Sequence, residues 1–520
     1  MDRDEMISRI KDNSAVWDVV VIGGGATGAG TALEAASRGY KTLLLEQYDF
    51  SKGTSSRSTK LIHGGVRYLQ QGNIALVLEA LKERGILLQN APHLVQNLSF
   101  IVPNYEWWEG PFYGIGLKMY DLLAGKAGFG RSKILSKDKT IEMIPNIETE
   151  GLDGGVVYHD GQFDDARLVI NILQTADDQG AAVINYMPVK SLIKTDDLIQ
   201  GVLAVDSETG REFQIKARVV INAAGPFADS VRSMDDQEAV KMIQPSQGTH
   251  IVLDRSFLAG DIAVMVPHTD DGRVIFAIPW SGRVIVGTTD TPVKSAEIEP
   301  QPQEEEIEFL LKHISRYLAR DPQRSDILSV FTGIRPLVSS EADSNTAVIS
   351  REHTINISRS GLVTIAGGKW TTYRKMAEET VDQAAVVGDL ENRPSVTKEL
   401  NIHGYHHHTE NFGPLARYGS DAVLIKKLMS EDKQLAKTIY DDPPVYAAEV
   451  YFAVKYEMAR TIEDFLSRRT RLLLLDAKGS LAAASKTAKL MAKYLGKNKK
   501  WQKTQTAEYS RLAEGYIVQQ

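Results

Sequence analysis

Apolar residues in this chain fall in runs and alternations separated by glycine-rich turns. In WDVVVIGGGATGAGTALEAASRGYKTLLLE an apolar run at 19–22 enters three glycines, a small-residue stretch at 26–38 and a second apolar run at 42–45. That order predicts a buried strand, a tight turn, a closely packed helix and another strand, the opening βαβ unit of a doubly wound fold. ARVVINAAGPFAD repeats the scheme, its strand ending at Ala223, Ala224 and Gly225. GTHIVLD, RVIFAIPW and RVIVGTTD are rich in β-branched residues. They predict a second, mainly antiparallel sheet, largely within 226–330, that covers a ligand. GLVTIAGGKWTTYRKMAEETVDQAA returns to strand, glycine turn and helix. Beyond about Asn392 the chain turns polar and then shows long helical patterns. The expected organisation is an extension at 1–17, a nucleotide-binding domain interleaved with a substrate-binding domain over 18–391, a linker at 392–412 and a helical domain at 413–520. The fold class is α/β, α+β when the whole chain is counted.

Composition narrows the chemistry. A net charge of -7 argues against a general nucleic-acid binder, which needs a basic excess. With no cysteine, disulfides, thiolate nucleophiles and Cys-ligated iron–sulfur clusters are excluded. Electron chemistry would therefore use an organic cofactor or a non-thiolate metal. The opening MDRDEMISRIKDNS is too charged for a secretory h-region, and no run of about eighteen apolar residues occurs. An intracellular protein that does not span a membrane is expected.

Gly23, Gly25 and Gly28 form G-x-G-x-x-G, with Ala26 and Thr27 inside it. The first glycine permits the turn, the second lets a pyrophosphate approach the backbone, and the third lets helix pack on strand. Amide groups and the dipole at the helix start favour phosphate. Glu46, followed by Gln47, ends the second strand where an acid can accept ribose hydrogen bonds. This motif alone leaves FAD and NAD open. Later segments favour FAD, because a retained flavin must be enclosed by several parts of the chain. In GGKWTTYRK, Gly367 and Gly368 end a strand, and Thr371 or Thr372 is expected to cap the next helix. The start of that helix would face the flavin N1/C2 edge and stabilise negative charge on the reduced ring.

The segments VVVIGGGATGAGTALEAASRG, GTSSRSTKLIHGGVRYL, LKERGILLQNAPHL, DDARLV, NAAGPFAD, GTHIVLD, GTTDTP, GIRPL and GGKWTTYRK occur in one order over residues 18–375. In this the chain resembles the FAD-dependent glycerol-3-phosphate dehydrogenases, and TIEDFLSRRTRLLLLDA resembles their helical C-terminal domain. The resemblance implies a D-amino-acid-oxidase-like fold, FAD as cofactor, and oxidation of sn-glycerol 3-phosphate to dihydroxyacetone phosphate. It further implies electron transfer to a membrane quinone. The family's iron–sulfur-linked relatives are disfavoured, since their cysteine-bearing region has no counterpart here.

Such a reaction needs a hydride acceptor, a proton acceptor, cations for a dianion, and exclusion of water. His63 is the first candidate base because an imidazole titrates near working pH, with a structural histidine as the alternative. His250 is a weaker candidate, more in keeping with a core histidine. Arg67, Arg335, Arg351 and Lys369 match positions the family uses around substrate, where guanidinium forks suit phosphate oxygens. Lys369 would act on substrate or on flavin. Tyr68 would project into the substrate cavity, and Gly64 and Gly65 would let the chain lie against the flavin ring. Thr54, Ser55 and Ser56 are expected to donate to cofactor oxygens. Val189, Gly333 and Trp370 complete the expected cofactor contacts. Arg374 reads as a solvated charge or ion pair on an exposed helix. Asp164 and Asp165 read as a helix N-cap rather than a metal site, and His406 to His408 as adventitious metal binders.

A lipid-soluble quinone calls for a surface that rests on a bilayer. Trp107, Trp108, Phe112 and Tyr113 have an interfacial composition. Residues 485–503 hold seven lysines and no acid, with Lys486, Lys489, Lys493 and Lys500 striped beside Leu490, Tyr494 and Trp501. Contact with anionic lipid on the inner face of the cytoplasmic membrane is therefore expected, and a homodimer is left open. The alternatives are an oxygen-reducing glycerol-3-phosphate oxidase, a related amino-acid or hydroxy-acid oxidase, and a flavin-binding sensor without turnover.

Overall fold

Val19, Val20, Val21, Leu43 and Leu44 are wholly buried, as parallel strands covered on both faces require. In the computed structural model, which describes residues 1–12, 14–65, 73–106, 108–125, 128–338 and 353–519, these residues centre the first of two large sheets. Its strands lie in the order His353–Ile357, Leu362–Gly367, Glu212–Asn222, Val16–Ile22, Thr42–Leu45, Ala182–Ile184. The last five are mutually parallel, and His353–Ile357 runs antiparallel at the edge. Helix Ala26–Ser37 packs against helices Asp165–Asp178 and Tyr373–Val387. The expected βαβ opening is thus formed.

Among the described residues the second sheet has ten strands, and its pairings are antiparallel except for Ile262–Val266 on Val95–Asn104. Its spine is the pairing of Ile243–Asp254 with Ile327–Val338, in a register that sets His250 opposite Phe331 and Ser246 opposite Arg335. The sheet extends beyond the expected 226–330. Leu61–Ile62, Val95–Asn104, Lys133–Ser136 and Gly154–Phe163 join it from far upstream. Such non-local pairing leaves no periodic mark in the local sequence.

The C-terminal helices build their own core around Leu472–Leu475, which continues onto Val252, Trp280, Ile285 and Phe331 on the second sheet. The polar stretch expected to be a linker lies against the first unit. Asn90 donates to the carbonyls of Thr397 and Lys398, and the amide of Ile402 donates to Asn90 O.

Two expectations about surface segments change. The lysine stripe is broken at Gly496, whose φ of +65 ends helix Ala477–Leu495 before helix Lys499–Glu514 begins. Lys486, Lys489 and Lys493 share an exposed face, Lys500 belongs to the next helix, and Leu490, Tyr494 and Trp501 pack on the C-terminal core. Tyr113 is buried, not interfacial, whereas Trp108 and Phe112 are exposed. Trp107 lies outside the described residues. Among the described residues no helix is long and apolar enough to cross a membrane.

Candidate active site

The strand Val16–Ile22 delivers the chain to Gly23, whose φ of +112 favours glycine and whose missing Cβ would stand 2.7 Å from Ala223 O. At Gly28 a Cβ would overlap Gly23 O, so the turn and the helix can meet only through glycine. Around Gly25 the nearest atom to an added Cβ is the Ser55 hydroxyl. That hydroxyl accepts from Ala26 N at 2.8 Å, at the start of helix Ala26–Ser37. Glu46 accepts from the amides of Gly24 at 2.6 Å and Tyr48 at 2.8 Å, and burial pushes its pKa up. These features fit a dinucleotide: a cradle without side chains for the pyrophosphate, and a fixed acid for a ribose.

A cavity opens on this turn, lined by Gly23, Gly25, Ala26, Thr27, Glu46 and Gln47 on one side. Thr54, Ser55, Val189, Ala223, Ala224 and Gly225 line it further along. Gly368, Lys369 and Trp370 close it. A second cavity adjoins it, sharing Thr54, Pro336, Gly367, Gly368, Lys369 and Trp370. His63, His250, Gly333, Arg335 and Thr371 line that second space. A nucleotide cofactor and a small substrate can therefore meet at Lys369 and Trp370.

Arg335 is held in place. Its Nη1 donates to Asp290 Oδ1 at 3.0 Å and Gln247 O at 3.3 Å, and its Nη2 donates to Thr288 Oγ1 at 3.1 Å and Thr289 O at 2.9 Å. Gly248 makes room, because a Cβ there would overlap the guanidinium. Asp290 also accepts from Ser246 Oγ. Asp290 lies within GTTDTP, where nothing in the local sequence marks it as the partner of Arg335.

His250 lies flat on Phe331, ring centroids 4.6 Å apart, with Nε2 3.0 Å from Thr59 Oγ1. Burial, and then the charges of Lys60 and Arg335, hold its pKa well below the usual range, so it is neutral at neutral pH. It is both a core histidine and a cavity wall. The backbone of His63 is fixed by Thr371, whose hydroxyl lies 3.3 Å from both its amide and its carbonyl.

Several expectations need correction. Ser56 is buried and lines neither cavity; its hydroxyl turns back to Gly53 O. Gly64 and Gly65 also line neither cavity. The bare Cα of Gly64 accommodates Tyr120 and Leu81 on the protein side, and its amide donates to Tyr120 OH at 2.8 Å. Neither Thr371 nor Thr372 caps the following helix through its side chain: a 3-10 turn, Trp370–Thr372, precedes Tyr373–Val387, and the Thr372 hydroxyl donates to Lys369 O. Arg374 does form an ion pair, through two bonds of 2.7 Å to Glu83, but on a buried rather than an exposed face of its helix. Asp164 does cap helix Asp165–Asp178, accepting from Arg167 N. Arg67, Tyr68 and Arg351 lie outside the described residues.

Residues 18–374 match the family of FAD dependent oxidoreductases, and residues 361–505 match the C-terminal domain of alpha-glycerophosphate oxidase. The human mitochondrial glycerol-3-phosphate dehydrogenase is 43% identical over 518 residues, covering 93% of this chain and 71% of that protein. The Schizosaccharomyces pombe enzyme of that name is 38% identical over 99% of this chain and 89% of its own length. Among solved structures, a glycerol-3-phosphate dehydrogenase from Bacillus halodurans complexed with FAD superposes with a TM-score of 0.80 at 30% identity, covering 99% of this chain and 98% of that one. A glycine oxidase from Geobacillus kaustophilus, 18% identical with a TM-score of 0.54 over 74% of this chain, shares the fold. With an FAD-binding cradle, a second cavity walled by a fixed arginine, and relatives matched along nearly its whole length, this chain belongs to the FAD-dependent glycerol-3-phosphate dehydrogenase family.

Proposed function

We propose that the protein oxidises sn-glycerol 3-phosphate to dihydroxyacetone phosphate and passes the electrons to a quinone, resting peripherally on the inner face of the cytoplasmic membrane. One observation carries the reading: the fixed guanidinium of Arg335 lines a cavity that shares Lys369 with the FAD cradle. Bound FAD supplies the acceptor for a hydride and its two electrons. The chain's own groups would do the rest. Arg335 places a fixed positive charge beside the phosphate, and Arg67, Tyr68 and Arg351 are proposed to share in that work. Lys369 adds positive charge where substrate and cofactor meet. His63 is proposed to take the hydroxyl proton. A neutral, buried His250 is a weaker base, suited to hydrogen bonding and packing.

The membrane part of the proposal is supported by helix Glu109–Ala124. One face buries Tyr113, Leu117 and Tyr120, yet the opposite face carries Phe112, Ile115, Met119 and Leu122, with Ile115 65% and Leu122 82% exposed. An exposed apolar patch of this kind marks a surface that meets an apolar neighbour. Lipid suits the outer face, since a quinone must be drawn from lipid and Tyr120 of the same helix binds the backbone next to His63.

The test is to supply glycerol 3-phosphate in air, count peroxide per turnover, and repeat with a quinone in lipid vesicles. Little peroxide and rapid quinone reduction are expected. One peroxide per substrate, with no acceleration by quinone, would instead favour an oxidase.

A further inference from the structure

The loop at 49–60 is tied down by residues more than four hundred positions downstream. Asp49, wholly buried, accepts from Arg468 Nε at 2.6 Å and from Arg469 Nη1 at 2.7 Å and Nη2 at 3.0 Å. Lys52 Nζ donates to both oxygens of Glu463 at 2.7 Å. Ser56 O accepts from Arg471 Nη2 at 2.6 Å and Lys60 Nζ at 2.9 Å. Those two cations are bridged by Asp165, which takes Arg471 on Oδ1 at 2.8 Å and Lys60 on Oδ2 at 2.7 Å.

The same loop walls the FAD cavity. Lys52, Gly53, Thr54 and Ser55 line it, Ser55 Oγ meets Ala26 N at the cradle, and Ser55 O accepts from Trp370 Nε1 at 3.1 Å. Apart from the single 3-10 turn Thr54–Ser56 the loop has no regular structure to set its course. Its conformation must come from what grips it.

The downstream segment is shaped for the grip. A π-helical turn at Asp464–Arg469 sends the successive residues Arg468 and Arg469 to one carboxylate, and π turns recur at functional positions. Arg471 follows in the left-handed conformation, φ +66, uncommon for a residue with a side chain. Buried ion pairs add little stability over well-packed apolar residues, but they fix geometry. Local strain and three directed arginines, Arg468, Arg469 and Arg471, are out of proportion for mere adhesion between two units that already share an apolar core.

We propose that the C-terminal unit acts as a clamp on the FAD-binding loop, with Arg471 a positioning residue that sets the cofactor's affinity through Ser56 O and Asp165. The C-terminal helices are then part of the cofactor site at one remove.

The experiment uses the full-length holoprotein and the variants Arg471→Met, Arg471→Lys and Arg283→Met. Arg283 is a control: it is buried and joins the same two units through Asp442 O at 3.0 Å, away from the loop. The FAD dissociation constant is read from the fluorescence of released cofactor, and the urea midpoint of the flavin-free protein is measured alongside. Arg471→Met is expected to weaken FAD binding about tenfold to a hundredfold, as expected for a lost charge-assisted hydrogen bond. Arg471→Lys should fall between it and the wild type, and Arg283→Met should stay within about twofold. If Arg471→Met does not fold, the comparison of Arg471→Lys with Arg283→Met decides. Wild-type FAD affinity in every Arg471 variant that folds would overturn the proposal. So would losses of FAD that track the urea midpoint equally in all three.

Discussion

Arg335 Nη1 stands 3.0 Å from Asp290 Oδ1, and the guanidinium also donates to Thr288 Oγ1, Thr289 O and Gln247 O. The carboxylate orients the fork but also offsets part of its charge, and two variants separate these effects. Asp290→Ala loses the orientation and should raise KM for glycerol 3-phosphate about tenfold with a smaller change in kcat. Asp290→Asn keeps a hydrogen-bonding partner and should stay within about threefold. Steady-state kinetics distinguish the two, and equal effects would show that orientation is not what Asp290 supplies.

Gly28 touches Gly23 backbone to backbone, so no side chain can yield to relieve the contact. Gly28→Ala should leave the protein with little or no bound FAD, measured as visible absorbance per mole of chain. Gly116→Ala, where an added Cβ meets nothing within 4 Å, should keep its FAD.

His403 joins the two units, with Nδ1 2.9 Å from Asp178 Oδ2 and Nε2 3.1 Å from Asp421 Oδ2. Both nitrogens face carboxylates, an arrangement for imidazolium. Burial opposes that charge, but hydrogen bonding and attraction from Asp421 and then Asp178 prevail and raise the pKa to about 9. Because the folded value exceeds the unfolded value of about 6.5, the contribution is complete below pH 6.5 and is lost as pH rises through about 9. Urea unfolding should show stability falling by on the order of 1–3 kcal/mol across that window, discounted for partial exposure. His403→Gln should lack this slope.

The proposed lipid contact predicts that Ile115→Glu with Leu122→Glu lowers binding to vesicles by about tenfold or more, since each buried aliphatic side chain contributes roughly 1.5–3 kcal/mol. Replacing Lys486, Lys489 and Lys493 by alanine should cost less, at about 1 kcal/mol per basic residue near an anionic surface. Co-sedimentation that is unchanged in the glutamate variant would remove this helix from the interface.

The nucleotide turn was legible in the sequence because its constraints are local. Apolar runs fix two strands, and Gly23 and Gly28 are demanded by contacts within a few residues or with the neighbouring strand end. Arg335 was legible through its place between Gly333 and Pro336 and its resemblance to the family. Much of the remainder depends on distant partners. Nothing near Gly64 announces Tyr120, nothing near Arg374 announces Glu83, and Asp49 gives no local sign of Arg468 and Arg469. The lysine stripe does not continue past Gly496, because a left-handed residue there resets the direction of the chain. Val95–Asn104 and Gly154–Phe163 join the second sheet through pairings no local pattern encodes.

Substrate oxidation at the meeting of the two cavities is tested most directly by adding glycerol 3-phosphate without oxygen while following the flavin's visible band. The wild-type holoprotein should bleach, and Arg335→Leu, loaded with FAD to the same extent, should need at least tenfold more substrate to do so. A flavin that stays yellow under saturating substrate, or an Arg335→Leu protein that bleaches at wild-type concentrations, would contradict the account.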